Sequence, residues 1–449
     1  MKINIPTHST ILFFYKYHHS IKFIACIPLT SHSRSATRIL SFCMHSYIAF
    51  IGNHPTLSTA EFSALLPDFM PKGMLGNGIL RFETNQELDQ RFLNKLGGTI
   101  LLCKKIISDD ATLANIPQIL TTELQGVKGK AVFALRFIGV APGSAKGLYM
   151  ACKKHLRAHG SSSRFVGNER DPAKAIQLHD EGLLDPKEGC ELVIVQEKNN
   201  LWVGRTVAAQ DVKAYTLRDI EKPVRDTTVG LLPPKLAQLL LNFGEYLVQN
   251  SSLKAQSSKL SIFDPFCGTG VIPLEAMLRG HHVLASDVSE KAVTGCTKNV
   301  EWARKTFKIL KKDVDAVIWK QDATKPFTLK EAPNVIVTEG SLGPALKSRA
   351  TVKDAESYAK NADILAQKFL KNCSETLKGV PIVMTLPIWY AQKRIIPLEK
   401  IWQTVAELGY KPVLPPHTTP TMEGRFSLVY RRADQFVGRE IILLKPSGK

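Results

Sequence analysis

The run Asp264-Pro265-Phe266-Cys267-Gly268-Thr269-Gly270 joins an apolar stretch, residues 261–263, to a helix-like segment that opens at Val271. An acid that ends a strand, followed by glycines in a turn, lets backbone N–H groups come close to a ligand while the carboxylate anchors its polar end. A nucleotide-like cofactor is the guest such a turn suits. Asp287 closes a second strand-like run, 282–286, and stands 23 residues beyond Asp264. An acid at that distance grips ribose hydroxyls in doubly wound folds. The ordinary dinucleotide fingerprint is excluded, because Gly268 and Gly270 have no third glycine in the G-x-G-x-x-G phase.

These residues need a parallel sheet to hold them. Further strand-like runs follow at 316–319, 334–338 and 380–385, with helical patterns between them, as an open parallel sheet requires. Two last apolar runs, 426–430 and 441–444, are separated by a short polar stretch and read as an antiparallel terminal hairpin. Pro233-Pro234 marks the start of a helix ahead of the first sheet strand.

The loop and the strand order resemble the class I S-adenosylmethionine (SAM) methyltransferases, whose first loop often reads D-P-F-C-G-[ST]-G. The resemblance implies SAM as cofactor, with Asp264 and the Gly268–Gly270 backbone near its methionine part, Asp287 on the ribose and Asp322 near the adenine. Segment 215–238, with Arg218-Asp219, Lys222-Pro223-Val224-Arg225-Asp226 and Pro233-Pro234-Lys235-Leu236-Ala237, resembles the linker and first helix of the THUMP-containing tRNA guanine-N2 methyltransferases (the Trm-eleven type). Arg218, Asp219 and Lys235 become secondary site candidates on that basis. Amino methyltransferases carry [DNS]-P-P-[YFW] after the fourth strand, where this chain reads Glu339-Gly340-Ser341-Leu342-Gly343-Pro344. Aligned with that motif, Glu339 becomes the acceptor for an exocyclic amine, Gly340 and Ser341 take the places of the prolines, and Leu342 that of the aromatic ring. Losing the ring removes stacking worth roughly 1–3 kcal/mol. Trp389 and Tyr390 are candidates for a substitute surface.

Composition sets the frame. A chain of 449 residues with 44% hydrophobic content supports two or three packed domains. A formal charge of +19 favours a polyanionic partner. No apolar run has the length of a membrane-spanning helix. Eight scattered cysteines form no C-x-x-C pair and no zinc-like spacing with histidine, which fits a reducing compartment. No metal is expected, and Cys267 is read as a packing residue.

Residues 1–60 lack Asp and Glu, so the leader 1–43 reads as a transit peptide or as spurious upstream translation, Met44 standing just before strand-like 47–51. The organisation expected is a basic leader 1–43, a small α/β module 44–110, a THUMP-like RNA-binding unit 111–210, a linker 211–235 and a methyltransferase domain 236–449. Ser58 is a candidate helix cap. In the THUMP-like unit, strand-like 131–138, helix-like 146–158 and a hairpin of 192–195 with 201–206 around Asn199-Asn200 carry Lys153, Lys154, Arg157, Arg164 and Arg205 as phosphate contacts, joined by Arg218. Phe165 and Trp202 are candidates to stack on bases.

The function expected is SAM-dependent tRNA guanosine N2-methylation by a cytoplasmic enzyme, with organelle import if the leader is genuine and an activator subunit among the partners considered. Two alternatives stand: a DNA amino methyltransferase, and a catalytically degenerate RNA-binding protein.

Overall fold

A computed structural model describes residues 44–447 apart from 77, 108–110, 198–199, 227–230 and 252–258. The leader 1–43 and the hairpin residue Asn199 therefore lie outside the described residues. Two sheets organise the rest.

The first is an eight-stranded mixed sheet. Residues 44–110 and 111–210, expected as separate modules, share it: Thr99–Lys105 pairs antiparallel with Asn200–Ala209, from Leu101 opposite Ala209 to Lys105 opposite Gly204. The second segment nonetheless has a buried cluster of its own, with Ile116, Phe133, Leu135, Leu192 and Val203 among its members. The hairpin forms as expected, with Leu192 opposite Arg205 and Val195 opposite Trp202. The basic helix is longer than its pattern, Pro142–Ala158, because Pro142 supplies a favourable first-turn residue. Ser58 does not cap. The first helix, Pro55–Leu65, starts at its proline, and Ser58 lies inside it with its hydroxyl donating to the Gly98 carbonyl at 2.9 Å.

The second sheet has nine strands. Ser261–Asp264, His282–Asp287, Ala316–Lys320, Val335–Thr338 and Ile382–Ala391 run parallel, in the spatial order third, second, first, fourth, fifth. Val437–Pro446 then enters antiparallel beside Ile382–Ala391, and Leu428–Tyr430 and Tyr410–Pro412 pair with it. The terminal hairpin is thus present, and the short strand Tyr410–Pro412 shares with Leu428–Tyr430 the edge of Val437–Pro446 that faces away from Ile382–Ala391. Chain order reverses between the first and fourth strands, and at such a switch point the ends of two neighbouring strands diverge and leave a crevice.

Local chemistry explains the covering helices. Gly270, at φ +86°, turns the chain into Val271–Leu278. The hydroxyl of Ser289 accepts from Ala292 N–H to start Glu290–Thr306, and Thr351 accepts from Asp354 N–H to start Val352–Thr376. The last of these buries Ala355, Ala359, Ala362, Ala366 and Phe369 along one stripe. Pro234–Gln249 begins at the proline pair and buries nearly all its apolar residues between the two sheets. The linker is no simple tether, since it contains the helix Val212–Asp219.

Candidate active site

A cavity of about 680 Å³ opens at the switch point. Of the residues singled out for cofactor and catalysis, Asp264, Pro265, Phe266, Cys267, Gly268, Thr269, Asp287, Asp322, Glu339, Gly340, Ser341 and Leu342 all line it. Gly270 alone stands behind the wall. A Cβ there would lie 2.6 Å from Cys296 Sγ, so a glycine is required by close packing as well as by φ.

Asp264 is 3% exposed at the tip of its strand. Thr338 Oγ1, on the adjoining fourth strand, donates to its Oδ1 at 2.7 Å, and Phe266 N–H donates at 3.2 Å. Burial pushes this carboxyl up to about 7 against those two hydrogen bonds, and Asp287 and Glu339 add to the rise. Asp287 accepts from Gly268 N–H at 3.0 Å and from Ser289 N–H at 2.9 Å. Asp322 accepts from the backbone and hydroxyl of Thr324, which holds its carboxyl below the usual range.

The loop differs from the expectation in one respect. In place of N–H groups facing a ligand, Phe266, Cys267, Gly268 and Gly270 spend theirs on Asp264, Ser286, Asp287 and Cys267. At these four positions the turn offers shape, their N–H groups being committed within the protein. A Cβ at Gly268 would meet no atom within 4 Å, so the wall there opens onto free space. The Cys267 thiol is raised, first by its hydrogen bond with Cys296 and then by burial, as suits a packing residue.

Glu339 follows the fourth strand and is pinned twice. Its carbonyl accepts from Thr385 Oγ1 at 2.6 Å, and its Oε1 accepts from Arg439 Nε at 2.6 Å. Burial raises this carboxyl, while the Arg439 charge and hydrogen bond oppose the rise. The proline alignment fails in detail: Gly340 has φ +70°, which proline cannot adopt. Leu342 and Gly343 line the cavity, whereas Pro344 does not.

Other expectations are corrected by burial. Trp389 and Tyr390 lie inside the strand Ile382–Ala391. Trp389 is 1% exposed beneath Gly343, and Tyr390 is covered by the Arg431 guanidinium 3.7 Å from its ring centroid. Neither offers a stacking surface to the cavity. Arg205 is buried, donating to the Gly189 carbonyl and paired with Glu123. Arg164 is paired with Glu181, and Arg218 with buried Glu275 at 2.8 Å. Arg218 also lies over the Tyr215 ring of its own helix, and its pairing with Glu275 binds the linker helix to the helix Val271–Leu278. Asp219 pairs with Lys222, and Lys235 donates to Gln210. Trp202 is packed in the core with its indole N–H toward Ser46. Lys153, Lys154 and Arg157 remain exposed on one helix, and Phe165 is 38% exposed.

Sequence reasoning missed Thr338, Thr385 and Arg439, which act across long chain separations. It also missed the wall made by Asn361, Ile364, Leu365 and Lys368. Their i, i+3, i+4, i+7 spacing was the available signal.

Residues 234–369 match the family model described as UPF0020, RMKL-like, methyltransferase domain. The chain is also similar to a tRNA (guanine(10)-N2)-dimethyltransferase of Methanothermobacter thermautotrophicus, with 28% identity over 160 residues. That match spans 35% of this chain and only 39% of the relative's length. Among solved structures, TrmN from Thermus thermophilus aligns over 90% of this chain and 100% of its own at 16% identity, with a TM-score of 0.46. The magnesium protoporphyrin IX methyltransferase of Synechocystis PCC 6803, solved with bound SAM, aligns over 54% of this chain and 99% of its own at 16% identity, with a TM-score of 0.30. The second sheet, with its reversed strand, has the Rossmann-like methyltransferase architecture.

Proposed function

We propose that this protein is a SAM-dependent RNA methyltransferase whose substrate is the N2 amine of a guanosine in tRNA. One observation carries the reading: the acid-tipped turn at Asp264 and the post-strand acid Glu339 line the same cavity. The family match over 234–369 and the similarity to a tRNA dimethyltransferase support it. Asp264 and the turn at Gly268 would hold the methionine part of SAM, Asp287 its ribose and Asp322 its adenine. The open space at Gly268 and the buried acid beside it suit a group that combines bulk with a positive charge. When bound, SAM supplies an electrophilic methyl group.

The protein's own residues have a positioning task. Glu339 accepts a hydrogen bond from the amine, which fixes the direction of the nitrogen lone pair, and Leu342 covers the base where an aromatic ring is absent. The exposed Lys153, Lys154 and Arg157 contact phosphates without reading sequence, on an N-terminal unit of THUMP type. Among the described residues no helix is long and apolar enough to cross a membrane. The proposed tRNA substrate is what supports a cytoplasmic location.

The test is incubation of the purified protein with methyl-labelled SAM and total tRNA, followed by nucleoside mass spectrometry. N2-methylguanosine should appear, and Glu339→Ala should slow its formation by roughly a hundredfold. Unlabelled tRNA, or equal rates in the variant, would overturn the reading. A second reading, an RNA-binding protein without activity, is favoured by the engagement of Glu339 with Arg439. Calorimetry separates the two: no SAM binding supports the silent protein, and binding without transfer points to a missing activator subunit.

A further inference from the structure

We propose that Arg439 is a positioning residue for the methyl-transfer reaction, clamping Glu339 so that the loop after the fourth strand is held without the rigidity of paired prolines. The inference deepens the proposed function and rests on it. Gly340 and Gly343 both have positive φ, so the segment that follows Glu339 is bounded by glycines and its own torsions restrain it little. Something other than the loop's own torsions must fix the acid. Arg439 sits on the closing strand, opposite Pro387 and Tyr430, with a side chain only 2% exposed. Its Nε donates to Glu339 Oε1, while Thr385, on the neighbouring strand, donates to the Glu339 carbonyl. Both anchors come from the sheet, the most rigid element available.

The arrangement has a functional reason. Glu339 accepts most strongly from an amine when it is ionised, and its burial favours the neutral form. The guanidinium opposes that tendency and occupies Oε1, leaving the carboxylate's other oxygen outside this pairing. The other ionisable groups coupled to the site are Asp264 on the first strand and Tyr430 beside Arg439, whose ring is 5.9 Å from the guanidinium. Asp264 carries like charge when ionised, so it makes the Arg439 charge more necessary.

The test compares Arg439→Met, Arg439→Lys and Thr385→Val with the wild type in the full chain. In Arg439→Met, kcat on tRNA should fall by roughly a hundredfold, since misplacement of about 1 Å has that effect. KM for tRNA and the affinity for SAM should stay within about twofold, as an effect confined to the transition state requires. The acid limb of the kcat profile should move to higher pH, because Glu339 loses the charge that holds its carboxyl down. Arg439→Lys should restore part of the rate and the position of the limb. Amide hydrogen exchange over 339–344 should quicken in Arg439→Met and in Thr385→Val, and this readout needs no activity. Unchanged exchange in that segment, or an unchanged rate and profile, overturns the clamp. If Arg439→Met fails to fold, Arg439→Lys and Thr385→Val decide on the same readouts. A wild type that labels no tRNA sinks the proposed function, while the exchange result still decides the clamp.

Discussion

At the scale of residues, the site contains an acid held in an unusual state. Asp264 is buried and its carboxyl is raised to about 7, above the unfolded value of 3.8, so the folded protein without ligand retains a proton there well into the neutral range. A cationic amino group prefers the ionised carboxylate. Affinity for SAM should therefore weaken as pH falls below about 7, approaching tenfold per unit, and level off above it. Calorimetry between pH 5.5 and 8 checks this, and Asp264→Asn should abolish the slope together with most of the affinity. A flat profile in the wild type would remove Asp264 from cation binding. The contiguous loop was legible in the sequence because strand, acid and turn are local features. Thr338 and Arg439 were not, since their partners lie 74 and 100 residues away and only strand order brings them together.

At the scale of elements, the helix Pro55–Leu65 shows how a local pattern misleads. Ser58 has the type of a helix cap, yet Pro55 starts the helix and the serine turns inward toward Gly98. Beside it, Glu61 accepts from Gly97 N–H, Gly98 N–H and Asn242 Nδ2, and so joins the first sheet's unit to the helix Pro234–Gln249. Burial raises its carboxyl to about 7 despite these donors. Because the folded value exceeds the unfolded 4.5, this group favours folding most below about pH 4.5 and loses that contribution as pH rises through 7. Glu61→Gln should flatten that part of the stability profile in urea unfolding. It should also cost about 1–3 kcal/mol, since the amide turns a donor toward a donor. A profile identical to the wild type would show that folding does not raise the Glu61 carboxyl. The parallel order of the five strands was legible from apolar runs between helical patterns. The shared eight-stranded sheet was not, because pairing of Thr99–Lys105 with Asn200–Ala209 depends on long-range packing that a linear pattern does not encode.

At the scale of the whole molecule, the formal charge of +19 is less available than its size suggests. Arg205, Arg218 and Arg439 are buried in ion pairs, leaving Lys153, Lys154 and Arg157 among the exposed cations. Reversing those three to Glu should weaken tRNA binding and reduce the dependence of log affinity on log salt by about 0.7 to 0.9 for each phosphate no longer neutralised, with SAM affinity unchanged. An unchanged salt slope would place the RNA elsewhere.

The junction of the two units carries a wider consequence. Arg279 donates to Asn242, Glu245 and the carbonyls of Lys95 and Gln238, and a Cβ on Gly97 would collide with the Lys235 backbone. Among the described residues, this seam ties the two units together through the Lys95 carbonyl, which accepts from both Asn242 and Arg279. On the proposed function the protein would work as a caliper with fixed jaws, the span from basic helix to cavity being set by folding. A nucleotide at the wrong distance from a gripped backbone would be rejected by geometry before any base is read.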